Sequence, residues 1–244
     1  MLKYKRILLK ISGELLGSDS FGFSREFLDF ITDEIYYLKK NYPVDIALVV
    51  GGGNIIRGND AQKYGIDKTT ADYMGMIATV LNALALQSIL ESKGLETRVM
   101  TSIEIKSVAE PYIRRRAIRH LEKGRIVIFA GGTGSPFFST DTAGALRAIE
   151  IKADVLLKGT KVDGVYTKDP FKFSDAQKYD LLDYSYFLSK DLKVMDATAV
   201  ALCRENNLPV IVFNITKSGS IEKIIKGENV GTIITSGHKD QLQF

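Results

Sequence analysis

Short apolar segments rich in β-branched residues recur along the chain and alternate with longer segments of helical period. The segments at 46–50, 126–130 and 210–213 are apolar throughout, which is typical of strands covered on both faces of a parallel sheet. We therefore predict strands at Arg6–Ile11, Asp45–Val50, Thr97–Met100, Ile126–Ala130, Val155–Lys158, Val210–Asn214 and Thr232–Thr235.

Amphipathic helices are predicted between these strands. One apolar stripe follows Ser24, a residue suited to an N-cap, and consists of Phe27, Leu28, Ile31, Ile35 and Leu38. Further helices are predicted at Thr140–Ile151, Asp196–Asn206 and Ser218–Lys226. Alternating strands and helices with right-handed crossovers predict an α/β fold, a three-layer α/β/α sandwich with a mainly parallel central sheet.

One further helix has no charged residue from Tyr73 to Leu90, a span of 18 residues between Asp72 and Glu91. That length reaches the lower limit for a membrane helix, but polar residues interrupt it. A helix that is apolar on most faces is buried on most faces. Because the outer helices of a sandwich expose one face, we predict that a second subunit, and not a membrane, covers this helix.

The overall charge is mild, with 33 Lys and Arg against 29 Asp and Glu, and it gives no sign of nucleic-acid binding. We interpret the basic cluster Arg114–Arg116, with Arg119, as a solvated helix face or a subunit contact. Cys203 is the only cysteine, which fits a reducing compartment. Lys10 interrupts the first apolar run, which argues against a secretion signal, and we expect a cytoplasmic protein.

Four predicted strands end in turns that contain glycine. The turns are Ile11–Gly13, Gly51–Asn54, Gly131–Ser135 and Gly159–Thr160. Ligands of open α/β sheets bind beyond the carboxyl ends of the strands, and glycine allows backbone N–H groups to approach an anion closely. The simplest ligand that needs several such turns is a chain of phosphates.

Missing motifs narrow the chemistry. The sequence has no Gly-Lys pair and no complete G-x-G-x-x-G, which excludes a Walker A loop and weakens a dinucleotide site. His120 and His238 are the only histidines, and neither is placed for histidine-dependent hydrolysis or zinc binding. Phosphoryl transfer needs none of these groups, because Lys, Arg, backbone N–H groups and Mg²⁺ supply positioning and charge neutralisation. When the acceptor is itself a phosphate, no general base is required.

Four charged residues near the glycine turns are candidates for this chemistry. Lys10 is expected to bridge the transferred phosphates, because a lysine inside a buried strand is costly without a partner. Arg57 could clamp a phosphate or lie on the surface. Asp72 could accept from ribose hydroxyls, and Asp141 begins another helix, but acids at such positions also serve as helix-dipole partners.

Six motifs in order resemble the amino-acid-kinase superfamily, and specifically the bacterial UMP kinases. They are 6–14, 51–58, 72–79, 133–141, 158–170 and 192–196, and the resemblance runs from Tyr4 to Thr235. It implies a single domain, 1–244. About 1–150 would bind the acceptor nucleotide, about 151–235 would bind ATP, and 236–244 would be a tail. It implies transfer of the γ-phosphoryl of MgATP to UMP, with Mg²⁺ arriving on ATP and no resident metal.

The resemblance also implies residue roles. Lys10, Arg57 and Asp141 would be catalytic, with Asp141 holding the lysine and Asp154 and Asp196 as supporting acids. The ATP-binding residues would be Lys10, Ile11, Ser12, Gly13, Gly53, Arg57, Thr160, Tyr166 and Asp169. The UMP-binding residues would be Gly52, Asp72, Thr133, Gly134, Ser135, Pro136, Phe137, Phe138, Ser139 and Thr140. Ser135 is often asparagine in relatives, so the contacts to the base are expected to differ here.

Regulation and assembly follow from the same resemblance. Relatives form hexamers as trimers of dimers, which agrees with the covered helix, and we expect a homohexamer. The regulatory site for GTP activation would involve Ser18, Asp19, Ser20, Phe21, Gly22, Phe23, Arg98 and Arg125, and UTP is the expected inhibitor. Gln87 and Glu91 stand where some relatives carry Arg and His, which is a departure from that site.

Three alternatives are weighed against UMP kinase activity. A superfamily kinase with a different acceptor, such as carbamate or aspartate, lacks the Thr-Gly-x-Pro-Phe-Phe-x-Thr-Asp loop found at 133–141. A regulator that senses nucleotides without turnover is disfavoured by the intact Lys10, Arg57 and Asp141. A nicotinamide oxidoreductase is disfavoured by the missing glycine fingerprint.

Overall fold

A nine-stranded sheet forms the centre of the molecule in the computed structural model, which describes residues 1–18, 22–57 and 63–237. Its strands are β1 (Arg6–Ile11), β2 (Asp45–Val50), β3 (Thr97–Thr101), β4 (Glu110–Pro111), β5 (Ile126–Ala130), β6 (Val155–Thr160), β9 (Leu181–Asp183), β10 (Val210–Asn214) and β11 (Thr232–Thr235). β7 (Val165–Tyr166) and β8 (Lys178–Tyr179) pair separately as a short antiparallel ribbon.

The sheet order is β4-β3-β5-β2-β1-β6-β10-β11-β9, with β1 in the middle. Its strand pairs are parallel except for β10 and β11. The prediction of a mainly parallel sheet is therefore confirmed, and β1, β2, β5, β10 and β11 have the predicted bounds. The short strands β4 and β7–β9 were not predicted, because two or three residues carry no periodic pattern.

Eight helices lie among the described residues. They are α1 (Gly13–Leu16), α2 (Arg25–Asn41), α3 (Lys68–Ser92), α4 (Arg114–Glu122), α5 (Thr140–Glu150), α6 (Tyr184–Ser189), α7 (Ala197–Glu205) and α8 (Ser220–Lys226). The side chain of Ser24 accepts a hydrogen bond from the Phe27 N–H, so the predicted N-cap of α2 is confirmed.

The helices cover the two faces of the sheet as separate layers. Ile7, Leu9 and Ile11 of β1 belong to the core that α2, α3 and α8 cover. Leu8 belongs to the opposite core, which α4, α5, α6 and α7 cover. Because side chains alternate along a strand, Lys10 lies on the same face as Leu8, beneath α5. The three-layer sandwich predicted from the sequence is therefore confirmed.

The long helix α3 packs along β3 and β5 through one face and leaves an apolar stripe outside. Tyr73, Ile77 and Leu81, four residues apart, are 42%, 47% and 48% exposed. By length and composition alone α3 is the one helix in the described ranges that could cross a membrane, and 44% of its most apolar window is buried within the chain. Its buried Asn82 donates to the Gly51 carbonyl at 2.6 Å, so α3 also fixes the turn after β2.

Candidate active site

The turns after β1 and β2 are in backbone contact at the carboxyl edge of the sheet. A Cβ atom on Gly13 would lie 2.4 Å from the Gly53 nitrogen, and one on Gly51 would lie 2.7 Å from the Gly13 nitrogen. A Cβ on Gly52 would lie 2.6 Å from the Gly75 carbonyl oxygen of α3. No side chain fits at these positions, so the glycines are required for the close approach of two turns at one edge.

Three charged side chains meet beneath α5. Lys10 Nζ lies 2.8 Å from Asp141 Oδ1, and Lys158 Nζ contacts Asp141 Oδ2. The two lysine side chains are each 10% exposed and that of Asp141 is 12% exposed. Lys10 and Lys158 are register partners on the neighbouring strands β1 and β6, which explains why one carboxylate reaches both. Each oxygen of the carboxylate therefore faces one ammonium group.

Burial and charge act in opposite directions in this cluster. Burial would raise the pKa of Asp141, but the charges of Lys10 and Lys158 outweigh it and hold that pKa below its ordinary value. Burial lowers the pKa of Lys158, the nearby Lys10 charge lowers it further, and Asp141 opposes both. The carboxylate thus stays ionised between two cations, and Lys158 gives up its proton more readily than an exposed lysine.

Asp196 links the starts of two helices next to Asp141. It caps α7 by accepting from the Ala199 N–H at 2.7 Å, and it accepts from the hydroxyl of Thr142 at 2.9 Å. It also contacts Ser139, the N-cap of α5, whose Oγ accepts from the Asp141 N–H at 3.0 Å. The backbone that carries Asp141 is therefore held by the acid at 196.

Asp154 lies elsewhere. It accepts the backbone N–H groups of Lys5 and Arg6 at 2.6 and 2.8 Å, at the amino end of β1 and so at the opposite edge of the sheet. The structure does not bring it together with Lys10 and Asp141.

Arg57 bridges the turns after β1 and β2. Its Nη2 atom lies 3.0 Å from Glu14 Oε1, and its Nε donates to the Gly53 carbonyl at 3.4 Å. Both members of the ion pair are more than half exposed, so the pair contributes little stability and leaves the guanidinium accessible to an anion.

The loop between β5 and α5, residues 131–139, lies beside the start of α3. The Gly131 N–H donates to Thr79 Oγ1 at 2.8 Å, and the Phe137 N–H donates to Asp72 Oδ2 at 2.8 Å. Phe137 has φ 71°, an uncommon conformation for a bulky residue, and its side chain is exposed. Asp72 also pairs with Lys68. Asp72 and this loop, which the resemblance assigns to one nucleotide, are in contact.

Two adjoining cavities extend from this cluster across the second half of the chain. One, of about 470 Å³, is lined by Ser139, Asp141 and Asp196 among others. The other, of about 420 Å³, is lined by Tyr166 and Asp169, and both include 191–193. The cavities therefore adjoin at 191–193, and the first of them reaches Asp141, the partner of both lysines. Thr160 is the last residue of β6, two residues after Lys158. Its hydroxyl donates to the Val162 carbonyl at 2.7 Å.

The arginines assigned to regulation lie at the amino ends of β3 and β5, away from these cavities. Arg125 Nε lies 2.6 Å from Glu96 Oε2, and that hydrogen bond and charge lower the Glu96 pKa. Arg98 lies 3.4 Å from Glu91 and 3.8 Å from Glu110. Each arginine is therefore met by carboxylates of its own chain. Of the remaining regulatory positions, Ser18, Gly22 and Phe23 are described, whereas Asp19, Ser20 and Phe21 lie outside the described residues.

The sequence reasoning missed Lys158 as a site residue. Lys158 is present there only as the last residue of a predicted strand and the first residue of the motif at 158–170, although it lies near the end of a buried strand as Lys10 does. A lysine at the buried end of a parallel strand is itself a signal, because it needs an anionic partner.

Comparisons with known proteins agree over almost the whole chain. Residues 5–214 match the family model described as the amino acid kinase family. The solved structure of the UMP kinase from Bacillus anthracis is 43% identical, has a TM-score of 0.92, and covers 96% of this chain and 97% of its own. The UMP kinase from Ureaplasma parvum is 36% identical, with a TM-score of 0.89 and coverages of 96% and 100%. The uridylate kinase from Archaeoglobus fulgidus is 30% identical, with a TM-score of 0.73 and coverages of 94% and 99%.

Proposed function

The chain belongs to the amino acid kinase family, and we propose that it is a UMP kinase, which transfers the γ-phosphoryl group of ATP to UMP and yields ADP and UDP. The observation that carries this proposal is the buried Lys10–Asp141–Lys158 cluster, beside a loop that Asp72 contacts. The alternative acceptors are disfavoured because three solved UMP or uridylate kinases are 30–43% identical over at least 94% of this chain.

The cluster suits phosphoryl transfer because its charges are arranged in advance. Two ammonium groups and one carboxylate leave one net positive charge at the carboxyl edge of the sheet. As a UMP phosphate oxygen bonds to the γ-phosphorus, the bond from that phosphorus to the β–γ bridging oxygen breaks and ADP leaves. Lys10 and Lys158 would neutralise the charge that develops on the transferring oxygens, and Asp141 would keep both amines in place.

The acceptor needs no base from the protein. A phosphate monoester has its second ionisation near pH 6, so at neutral pH UMP presents an unprotonated oxygen as the nucleophile. This agrees with the position of His120, which lies in α4 against Glu110 and lines neither cavity.

ATP is proposed to lie along the two adjoining cavities. Its adenine and ribose would occupy the cavity lined by Tyr166 and Asp169, with Thr160 bonded to Val162 of the same lining. Its phosphates would reach the N–H groups of residues 11–13 and of Gly53, with Arg57 at the junction of donor and acceptor. On this proposal about 151–235 serves ATP and about 1–150 serves the acceptor.

Mg²⁺ is proposed to arrive with ATP. Across the described ranges 1–18, 22–57 and 63–237, no group of three or more His, Cys, Asp or Glu side chains is placed to hold a metal ion. Asp141 has both oxygens engaged by lysines. These residues fit an ion held mainly by phosphates and water, which would screen the β- and γ-oxygens.

UMP is proposed to bind between α3 and the loop at Thr133–Thr140. Asp72 would accept from ribose hydroxyls and Gly52 would meet the phosphate. Ser135 supplies one hydroxyl where an amide would supply both a donor and an acceptor, so selectivity among pyrimidines rests on the remaining loop contacts.

A homohexamer, cytoplasmic location and nucleotide regulation complete the proposal. The exposed stripe Tyr73, Ile77 and Leu81 is what a contact with a second copy requires. GTP or UTP would have to compete with Glu91, Glu96 and Glu110 for Arg98 and Arg125, so we expect a weak effector response in this chain.

A coupled assay of ADP release with MgATP tests the function. UMP, CMP, dUMP and small carboxylic acids are offered side by side, and turnover confined to uridine monophosphates is expected. Turnover with another acceptor and none with UMP would reject the role given to the 133–140 loop. UMP binding without turnover by any acceptor would identify a sensor instead.

A further inference from the structure

We propose that Arg147 is a positioning residue for the acceptor loop and that it acts through the hydroxyl of Ser102. The inference rests on the proposed function, since it takes the loop at 131–139 to hold UMP. Neither residue belongs to a recognised motif of the site, and both lie behind the loop and outside the two cavities.

Ser102 stands directly behind the loop, just after β3. Its Oγ donates to the Gly132 carbonyl at 3.0 Å and accepts from Arg147 Nη2 at 2.8 Å. A guanidinium has donors only, so Arg147 occupies an acceptor site of the hydroxyl and leaves its single proton for Gly132. The direction of the Ser102–Gly132 hydrogen bond is therefore set by Arg147.

Arg147 is held in one orientation. Its side chain is 5% exposed, its Nη1 lies 2.5 Å from Glu150 Oε2, and its guanidinium carbon lies 3.7 Å from the ring centre of Tyr112. The Tyr112 hydroxyl donates to the same Glu150 oxygen at 2.6 Å. Its Nε has no partner among the described residues. Leaving the buried Nε–H of Arg147 without a hydrogen bond costs stability. We therefore infer that Arg147 is placed here to orient the Ser102 hydroxyl and not to stabilise the fold.

The loop is fixed from two sides at adjacent residues. Gly131 donates its N–H to Thr79 on α3, and Gly132 gives its carbonyl to Ser102. Gly131 and Gly132 have φ values of +75° and +58°, a conformation that glycine enters and leaves easily. Two such residues at the base of a loop make it mobile unless both peptide groups are held. The Arg147–Ser102 pair supplies one of the two attachments, directly before Thr133.

Arg147 also lies on α5, the helix that begins with Thr140 and Asp141. A substitution at 147 that disturbed the whole helix would lower kcat through Asp141. A substitution that only released the loop would raise KM for UMP and leave kcat and KM for ATP nearly unchanged. The two roles are therefore separable by kinetics.

The test compares Ser102→Ala, Arg147→Lys and the double variant, with Glu150→Gln as the matched control. Glu150→Gln removes the negative charge but keeps a side-chain oxygen that accepts from Arg147 Nη1, so the orientation of Arg147 and its contact with Ser102 are retained. The measurements are kcat, both KM values, the Kd for UMP, and hydrogen exchange of the peptide 131–139 without nucleotide. We expect KM and Kd for UMP to rise about tenfold in Ser102→Ala, the effect of losing one buried hydrogen bond, and exchange of 131–139 to accelerate.

Arg147→Lys should also raise KM and Kd for UMP and accelerate exchange of 131–139. The double variant should have the same KM and Kd as Ser102→Ala, because the two substitutions break the same connection. Glu150→Gln should lower the melting temperature and keep KM for UMP within about twofold. Unchanged KM, Kd and exchange in Ser102→Ala, or effects that multiply in the double variant, would overturn the proposal. If the wild type does not phosphorylate UMP, faster exchange in the variants still supports the connection, while the proposed acceptor fails.

Discussion

Lys10 and Lys158 face each other across the β1–β6 pair, and the two oxygens of Asp141 separate their ammonium groups. Without the carboxylate, two neighbouring buried ammonium groups would repel each other. With it, both remain available to an anionic substrate at neutral pH. The relationship also makes the contributions of the two lysines separately testable.

Replacement of Lys10 by Met should lower kcat by about 10²–10³-fold with little change in KM for UMP, because its charge acts on the transferring oxygens. Steady-state kinetics with MgATP and UMP measure this. Lys5→Met, at an exposed position just before the same strand, is the control and should keep full activity. Equal kcat in the two variants would remove Lys10 from the mechanism.

Activity should fall at alkaline pH as Lys158 loses its proton, with an apparent pKa below 10.5, because burial and Lys10 lower the pKa of this amine. In Lys158→Arg, the remaining activity should persist to higher pH, since arginine stays charged. A pH profile of kcat for both proteins measures the difference. An unchanged alkaline limb in Lys158→Arg would assign the titration to another group.

The same loss of activity should occur without unfolding. The folded protein releases the Lys158 proton at a lower pH than the unfolded chain does, so this group's contribution to the free energy of unfolding rises with pH between the two pKa values. Circular dichroism across the alkaline limb checks this. If the protein unfolded at the same pH at which kcat falls, the alkaline loss of activity would be due to unfolding and not to deprotonation of Lys158.

Replacement of Asp72 by Ala should raise KM for UMP about tenfold, because the Phe137 N–H loses its acceptor and the ribose loses its proposed partner. KM for ATP should stay the same. Lys68→Met removes only the exposed ion pair to Asp72 and should change KM by less than about threefold. An effect confined to ATP would show that Asp72 serves the other nucleotide.

A charge in the apolar stripe of α3 should break the proposed assembly. Ile77→Asp and Leu81→Asp place a carboxylate where about half of an apolar side chain is already covered by the chain and the rest is exposed. Sedimentation velocity should then show smaller species. Val108→Asp, equally exposed but on a loop, is the control and should keep the assembly. Identical sedimentation of all three variants would exclude this stripe as the contact.

Most of the sheet could be predicted because its strands are apolar on both faces. The run Val210–Phe213 is an example, because four consecutive apolar residues between polar segments are typical of a buried strand and are too few for most helices. The uncharged run at 73–90 located α3 but not its start. The helix begins at Lys68, where the Asp67 side chain accepts from the Thr70 N–H, a local cap that an apolar pattern does not contain.

Motifs name candidate site residues, but they do not show which of those residues lie together. Asp72 and the 133–140 loop, or Lys10 and Asp141, are distant in sequence, and only the order of strands brings them together. The sequence also does not show that Asp154, expected as a supporting acid, lies at the amino end of β1, on the edge of the sheet opposite to Lys10 and Asp141. Lys158, Ser102 and Arg147 were missed because their partners are set by tertiary packing, which a single sequence does not record.

The position of β1 at the centre of the sheet also affects how the chain is made. Its neighbour β2 follows soon after it, whereas β6 is synthesised later, on the order of ten seconds at typical elongation rates. Until β6 pairs, β1 is an edge strand in a growing chain, and Arg6 and Lys10 are its two charged residues. Charged residues in edge strands disfavour pairing with other chains. We therefore expect these two charges to disfavour aggregation of the chain while it is being made.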